Sequence, residues 1–138
     1  MSSDDDQPAA DAAEVVRELG ARYRSGDVAS AAALYQPDVR IEQPASLPHG
    51  GSHIGADGMA EMATRFSEHW DRTIGEARVF GVGDTAVQVT TQTWTAKTSG
   101  RSATVDVVEL FTVTDGRIAE IRVFQQDTHL LLSTLDDA

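Results

Sequence analysis

The chain has 138 residues, of which 41% are hydrophobic and 24% are charged, and its formal net charge is −11. This composition is typical of a single globular domain and excludes an intrinsically disordered chain. No apolar run approaches the roughly 18 residues that a membrane-spanning helix needs. Because the chain has no cysteine, it can form neither a disulfide nor a thiolate metal site.

The negative charge is concentrated at the two ends of the sequence. Five of the 22 acidic residues fall within residues 1–14, and two more are Asp136 and Asp137. We interpret residues 1–7 as a disordered acidic tail, residues 8–135 as one domain and residues 136–138 as a C-terminal tail. The chain has no basic stripe for nucleic acid and begins with no signal-peptide pattern. We therefore expect a cytoplasmic protein with neither nucleic-acid nor membrane partners.

Helical patterns dominate the first half of the chain. Apolar residues recur every four positions between Pro8 and Ser25, which predicts a first helix. Asp27 can cap a second helix over residues 28–35. A brief strand over 39–41 and a loop over 44–55, rich in Gly and Pro, come next. A third helix is predicted over 57–70, with Met59, Met62, Phe66 and Trp70 on its apolar face.

The second half of the chain predicts β-structure up to a short final helix over residues 128–135. The runs 74–80, 85–97, 102–114 and 117–126 are rich in Val, Thr and Ile, and turns with Gly divide them. This order predicts an α+β fold, with helices over one face of a mixed or antiparallel sheet.

Register decides where Glu109, an acid of the third long strand, points. Glu109 shares a strand face with four apolar residues, Val105, Val107, Phe111 and Val113. A two-residue turn at Asp115-Gly116 would pair Glu109 with Arg122 and separate the apolar faces of the last two strands. A three-residue turn would pair Glu109 with Ile121 and unite these faces. We choose the three-residue turn, which predicts Glu109 in the middle of an apolar concave wall.

Two further placements concern the sheet. Val87 and Val89 are predicted to join the same concave face. The reverse face then carries apolar residues that no predicted helix covers: Trp94, Val108, Leu110, Ile118 and Phe124. A half-apolar reverse face predicts a homodimer through this surface.

Several phrases in the sequence resemble the nuclear-transport-factor-2-like superfamily, which includes ketosteroid isomerase, SnoaL-like polyketide cyclases and limonene epoxide hydrolase. These phrases are residues Arg24–Asp27, Leu34–Pro44, Gly50–Gly55 and Val108–Ile118, within a match over roughly residues 10–135. The resemblance implies a cone-shaped, strongly curved sheet of the cystatin-like α+β type. Three N-terminal helices would pack on its concave face and enclose a pocket.

The resemblance also implies site residues, position by position. The general base of the isomerase falls on Gln43, whose amide cannot abstract a proton, and its tyrosine donor falls near Leu19. Its protonated acid donor falls on Glu109, which burial would keep neutral. The base of SnoaL-like cyclases falls near Asp127, but none of the predicted strands contains the pocket histidine that these cyclases also use. The charged pair of the epoxide hydrolase falls among the uncharged residues 91–94.

Each candidate has a structural alternative. Asp127 can simply cap the last helix, and Glu109 can be a buried acid with a backbone or arginine partner. At strand spacing the two lie roughly 20 Å apart, too far for a carboxylate pair. His49 and His53 flank Gly50-Gly51 on a loop, where either can serve as a pocket acid or base or lie on the surface. A spacing of four on a loop does not predict a metal site, so we expect neither metal nor cofactor.

We expect a mostly apolar pocket for a small organic molecule. Its predicted lining is Tyr23, Met59, Met62, Phe66, Trp70, Val89, Thr91, Val107, Phe111, Ile121, Val123 and Gln125. Asp127, Glu109, His53 and His49 are the candidate catalytic residues for acid–base chemistry on a polyketide- or terpenoid-like carbonyl compound, as in a cyclase or isomerase. Two alternatives remain open: a non-catalytic binding or accessory protein of the same fold, and a protein-partner module that uses the back of the sheet.

Overall fold

A computed structural model describes residues 11–136 of the chain. The predicted tail 1–7, the start of a helix at Pro8 and residues 137–138 lie outside the described residues. Within them the elements are α1 (Ala12–Arg24), α2 (Val28–Ala32), β1 (Tyr35–Gln43), β2 (Gly51–Ile54), α3 (Gly55–Ser67), β3 (Trp70–Ile74), β4 (Arg78–Val82), β5 (Thr85–Ala96), β6 (Ser102–Thr114), β7 (Arg117–Gln125) and α4 (Thr128–Ser133).

The strands form one mixed sheet in the order β2-β1-β7-β6-β5-β3, and β4 also pairs with β5. The β1–β7 pair is parallel and the other pairs are antiparallel. The sheet is strongly curved, with α1 packed on β4 to β7 and α3 packed on β1 to β3. The predicted α+β class with N-terminal helices over a curved mixed sheet is therefore confirmed. No helix among residues 11–136 is long and apolar enough to span a membrane.

Aspartate side chains begin three of the helices. Asp11, Asp27 and Asp127 each accept a hydrogen bond from the backbone N–H three residues further on, at 2.9, 3.1 and 2.9 Å. Such caps satisfy backbone donors that a helix leaves unpaired at its first turn. The last of them shows that Asp127 has the capping position predicted as its structural alternative.

Two helices end earlier than the sequence pattern predicts. α2 stops at Ala32, because Tyr35 already pairs with Ile118 at the start of β1. α3 stops at Ser67, and Trp70 begins β3 opposite Ala96. The apolar spacing that placed Trp70 on the helix face was therefore misleading, since Trp70 is buried from a strand.

The turn between β6 and β7 differs from the predicted one. Asp115 and Gly116 both have positive φ, 54° and 76°, as in the two-residue turns that favour Asp-Gly. The register then shifts by one residue at Ala119, so that Phe111 pairs with Ile121 and Glu109 with Val123. The predicted pairing of Glu109 with Ile121 was wrong, although both lie on the concave face. The two-residue turn itself pairs Ile118 with Val113 and buries Ile118, which was wrongly expected on the reverse face.

The Ala96 N–H donates to the Arg101 carbonyl oxygen, so the turn between β5 and β6 contains an even number of residues, Lys97 to Gly100, and this sets the face of each β5 side chain. Val107 pairs with Thr90, and Glu109 pairs with Gln88. Opposed residues share a face, so the even-numbered β5 residues face the concave side. The odd-numbered Val87, Val89 and Thr91 lie on the reverse face, contrary to prediction. Trp94, predicted on the reverse face, is buried on the concave side.

Helix α1 lies so close to β4 that a glycine is required there. A Cβ atom added to Gly81 would come within 2.8 Å of the Ala13 Cβ. By contrast, a Cβ atom on Gly20 within α1 would meet only the flexible end of Arg24. An alanine is therefore expected to change the free energy of unfolding differently at the two positions.

We expect Gly81→Ala to lower the free energy of unfolding by about 1–3 kcal/mol, because it overpacks the α1–β4 contact. Gly20→Ala is the matched control and should raise it by about 0.5–1 kcal/mol through helix propensity. Urea unfolding followed by circular dichroism measures both changes. Equal effects of the two substitutions would contradict the close α1–β4 contact.

Candidate functional site

A cavity of about 490 Å³ lies between the concave face of the sheet and helices α1 and α3. Its size is typical of a pocket for a small organic ligand. Most of its lining is apolar, with Leu19, Ile41, Met59, Met62, Val107, Phe111, Ile121 and Val123 on the wall. Its polar lining consists of Tyr23, Tyr35, Gln43, His49, Arg72, Gln88, Gln92, Glu109 and Gln125.

Glu109 is the one carboxylate that lines this cavity among the described residues. Gln88, which lies opposite Glu109 on the neighbouring strand β5, donates a hydrogen bond from Nε2 to Glu109 Oε1 at 2.9 Å. Burial raises the pKa of Glu109, because the apolar wall solvates a carboxylate poorly. The Gln88 hydrogen bond and the charge of Arg72 oppose this shift without cancelling it. Glu109 lies on the concave face, as predicted from the sequence.

Arg72 is the one lysine or arginine on the described cavity wall, and it was not among the site residues predicted from the sequence. Its guanidinium lies 4.7 Å from the centre of the Phe66 ring, a cation–π contact. Although the side chain as a whole is exposed, burial of the guanidinium lowers the pKa of Arg72, while Glu109 raises it. The predicted strand began at residue 74, so no pattern pointed to residue 72.

His49 is buried on the cavity wall, with 3% of its surface exposed. Its ring contacts those of Phe66, Trp94 and Trp70, with centroid distances of 5.3, 5.8 and 6.1 Å. Burial lowers the pKa of His49 to about 4, and the positive charge of Arg72 adds to this shift. The imidazole is therefore neutral at pH 7.

The loop that carries His49 is held by two local constraints. Gly50 is surrounded by backbone carbonyl oxygens, and a Cβ atom there would lie 2.4 Å from the Pro44 oxygen. His53, on β2, is buried and donates from Nε2 to the His49 carbonyl oxygen at 2.8 Å. His53 does not line the cavity. It positions the loop that presents His49.

The four candidate catalytic residues therefore separate into two groups. Glu109 and His49 line the cavity, whereas His53 and Asp127 do not. Asp127 is exposed and caps α4 through the Leu130 N–H. Among residues 11–136, no three His, Cys, Asp or Glu side chains are grouped so that they could hold a metal ion.

The predicted ligand-contacting residues separate in the same way. Eight of them line the cavity: Tyr23, Met59, Met62, Val107, Phe111, Ile121, Val123 and Gln125. Phe66 and Trp70 pack behind it against Trp94, and Trp70 Nε1 donates to Thr134 Oγ1 at 2.8 Å. Val89 and Thr91 were wrongly placed, since they face the other side of the sheet. Gln88, Gln92 and Trp94 line the cavity from β5 in their place, and the register with β6 rather than the pattern within β5 decides this.

Tyr23 and Tyr35 form one end of the cavity, with their hydroxyl oxygens 3.0 Å apart. Burial raises the pKa of Tyr35, and its bond to Tyr23 adds to the shift. Both tyrosines, together with Met59, also line a second cavity of about 270 Å³. The tyrosine pair therefore stands between two adjoining cavities.

Comparison with known proteins identifies the class of this fold. A protein from Burkholderia thailandensis, described as NTF2-like, is 24% identical, with a TM-score of 0.82 over 91% of this chain and 97% of that one. TerC, co-crystallized with polyporic acid, is 21% identical, with a TM-score of 0.77 over 90% and 97%. A proposed SnoaL-like polyketide cyclase from Mesorhizobium loti is 25% identical, with a TM-score of 0.62 over 81% and 97%. The fold is that of the NTF2-like superfamily.

Within that superfamily, residues 16–121 match the SnoaL-like domain, and the chain belongs to this family. The resemblance predicted from the sequence is confirmed. A comparison with curated proteins finds no match.

The low pKa of His49 predicts how stability depends on pH. Between about pH 6.5 and pH 4 the unfolded chain binds a proton at residue 49 that the folded protein does not bind. Stability from this residue is therefore fully present above pH 6.5 and lost as the pH falls toward 4. At about 1.36 kcal/mol per pKa unit, the loss is about 3 kcal/mol.

His49→Phe keeps the aromatic contacts and removes the titration, so its stability should fall less than that of the wild type between pH 7 and pH 4.5. Urea unfolding at these two pH values measures the difference. His129→Phe, on the exposed surface of α4, is the control and should leave the wild-type pH dependence unchanged. An unaltered pH dependence in His49→Phe would contradict the buried neutral imidazole.

Proposed function

We propose that this SnoaL-like protein binds a small, mostly apolar, partly oxygenated organic molecule in the cavity. There it catalyses proton transfer at the carbon next to a carbonyl group of the ligand, as a polyketide cyclase or an isomerase does. One observation carries the proposal. Glu109 presents a carboxyl group of raised pKa on the wall of an apolar cavity of about 490 Å³, where Gln88 orients it.

A neutral carboxyl in such a wall can donate a hydrogen bond to a ligand carbonyl. When a proton leaves the carbon next to that carbonyl, negative charge moves to the oxygen, and Glu109 stabilises the enolate. The raised pKa also places Glu109 closer to neutral pH, where a group donates and accepts protons most efficiently. Of the proton acceptors considered from the sequence, the neutral imidazole of His49 is the one on the cavity wall.

The comparisons support this class of reaction and ligand. The M. loti relative is described as a proposed polyketide cyclase, and TerC was crystallized with the organic molecule polyporic acid. Both have the fold of this chain over nearly their whole length. The lining of the cavity here, apolar with a few polar groups, suits ligands of that general kind.

A non-catalytic binding protein is the second candidate, and two residues favour it. Gln43 stands where the resemblance places the isomerase base, and its amide cannot abstract a proton. His49, with its pKa lowered to about 4, is a weak base. A protein that binds a carbonyl compound without exchanging its α-protons would fit this alternative.

The proposal is tested with 2-tetralone, a compact apolar ketone whose α-protons exchange in D₂O and are followed by proton NMR. The wild type should accelerate the exchange, and Glu109→Leu should lose roughly a hundredfold or more of that acceleration. Glu109→Gln keeps the shape and a hydrogen-bond donor, so it should bind 2-tetralone and retain part of the acceleration.

Asp127→Asn is the matched control, because asparagine can still cap α4 and residue 127 lies outside the cavity lining. It should exchange protons at the wild-type rate, and a loss comparable to that of Glu109→Leu would contradict the assignment of Glu109. Binding of 2-tetralone without accelerated exchange in the wild type would favour the non-catalytic alternative. A Glu109 carboxyl that titrates at or below the ordinary pKa of 4.5 by carbon NMR would exclude the neutral donor.

We also propose a homodimer through the convex face of β5, β6 and β7. Val108 lies between Val89 and Phe124 across these strands, and Leu110 lies opposite Val87. Phe124 is 45% exposed, and no helix among residues 11–136 covers this face. Trp94 is not part of it, as described above.

Phe124→Asp should convert the dimer to a monomer, because it places a charge in the middle of the apolar contact. Light scattering at micromolar concentration measures the mass. Val82→Asp, at an 86% exposed valine on β4, is the control and should leave the dimer intact. A monomeric wild type would refute the dimer and leave this face to the alternative of a different protein partner.

A further inference from the structure

Three buried polar atoms on the cavity wall have no hydrogen-bond partner among the described residues: Gln43 Oε1, His49 Nδ1 and Gln125 Oε1. All three residues line the 490 Å³ cavity. Buried polar groups in folded proteins are nearly always paired, because removing them from water without compensation costs free energy. Three such atoms in one cavity therefore point to a group of the ligand that pairs with them.

The sheet register brings the two glutamines to the same part of the wall. In the parallel β1–β7 pair Ile41 lies opposite Ile121, and one step further Glu42 lies opposite Arg122. Gln43 therefore follows beside Val123, and Gln125 is two residues further along the same face of β7. Both glutamines line the cavity at the ends of their strands.

His49 reaches the same cavity from the loop that directly follows β1. Its position is set by its aromatic neighbours, by the Gly50 turn and by the His53 bond to its carbonyl oxygen. Gln43 is held as well, because its Nε2 donates to Met62 Sδ at 3.3 Å. The unpaired atoms thus belong to side chains that are already positioned, as a preformed site requires.

The identity of the atoms limits what the ligand group can be. The two amide oxygens are acceptors and need a donor, and a neutral imidazole nitrogen can donate or accept. A ketone oxygen has no proton to donate, and a carboxylate would meet two oxygens of like partial charge. A hydroxyl group can donate to one of these atoms and accept from another, so it is the simplest group that fits.

We propose that Gln43, Gln125 and the Nδ1 atom of His49 form a subsite for a hydroxyl group of the ligand on β1, β7 and the loop after β1, whereas His49 Nε2 is the proton acceptor of the proposed reaction. The inference rests on the proposed function and deepens it, because it names the substrate class: an apolar ketone with a hydroxyl group remote from its carbonyl. Glu109 lies opposite Val123 on the next strand, so Val123 separates Glu109 from Gln43, and Gln125 is the diagonal neighbour of Glu109 on β7. One ligand can reach both Glu109 and the subsite.

The test compares three probes by isothermal titration calorimetry: 2-tetralone, 6-hydroxy-2-tetralone and 6-methoxy-2-tetralone. The wild type should bind the hydroxy probe about three- to tenfold more tightly than 2-tetralone, the ratio expected for one net hydrogen bond. The methoxy probe has an oxygen but no proton to donate, so it should lose this preference. Equal affinity for the hydroxy and methoxy probes would overturn the proposal.

Variants then locate the hydroxyl group. Gln43→Leu, Gln125→Leu and His49→Phe should each reduce the preference for the hydroxy probe while still binding 2-tetralone. Ile74→Val is the matched control: Ile74 also lines the cavity, but it is 51% exposed on β3 and its side chain has no polar atom. It should retain the preference. A preference that survives in all three variants would show that the hydroxyl binds elsewhere and would overturn the subsite.

These results separate the subsite from the proposed function. If 2-tetralone exchanges its protons with the wild type but the hydroxyl group adds no affinity, the subsite fails and the proposed function stands. If the hydroxy probe binds preferentially and neither ketone exchanges its protons, the subsite stands on a non-catalytic binding protein. A crystal structure in which the hydroxyl group of the bound probe lies elsewhere and a water molecule is hydrogen-bonded to the three atoms would also overturn the subsite.

Discussion

The face that β6 turns toward the cone determines both the core and the site. Its odd-numbered residues, Val105 to Val113, include Glu109 and face inward, so an apolar wall needs a neighbouring strand with its apolar set on the same side. β7 meets this requirement through a one-residue bulge at Ala119, whereas the turn before β6 directs Gln88, Gln92 and Trp94 of β5 inward and the valines of β5 outward. Without the bulge the two-residue turn would place Arg122 opposite Glu109 and turn Ile121 and Val123 outward. The bulge is therefore required for an apolar cavity wall around a carboxyl group.

Three ionisable side chains share this wall, and their pKa values depend on each other. Burial favours the neutral form of Glu109 and of His49, and it lowers the pKa of Arg72. The charge of Arg72 lowers the pKa of both other groups, which favours the carboxylate of Glu109 and the neutral imidazole of His49. Substitution of Arg72 would therefore raise the pKa of both groups. An acid with a raised pKa and a neutral imidazole in one apolar space are suited to proton transfer.

Hydrogen bonds on the cavity wall and behind it hold the wall in place. Trp94 donates from Nε1 to Gln92 Oε1 at 2.9 Å, and Gln92 donates to Thr90, so these polar atoms of β5 are paired within the strand. Trp70 donates a hydrogen bond to Thr134, just after α4. This bond attaches the segment after α4 to the aromatic cluster beneath His49. Against this paired background, the atoms of Gln43, His49 and Gln125 are the unpaired ones on the described cavity wall.

The sequence by itself determined the α+β class, the family resemblance, the bounds of β6 and the caps at Asp27 and Asp127, because these depend on local spacing and on single residues. It also identified Glu109 as the one acid in an apolar strand face. Only the tertiary structure decided which β5 residues line the cavity, that Trp70 lies on a strand and that Arg72 and His49 share the wall with Glu109. Strand parity depends on loop lengths and on a bulge that local patterns do not encode, so Val89 and Thr91 exchanged places with Gln88 and Gln92. The pKa shifts depend in turn on burial between distant segments, which exists only once the chain has folded.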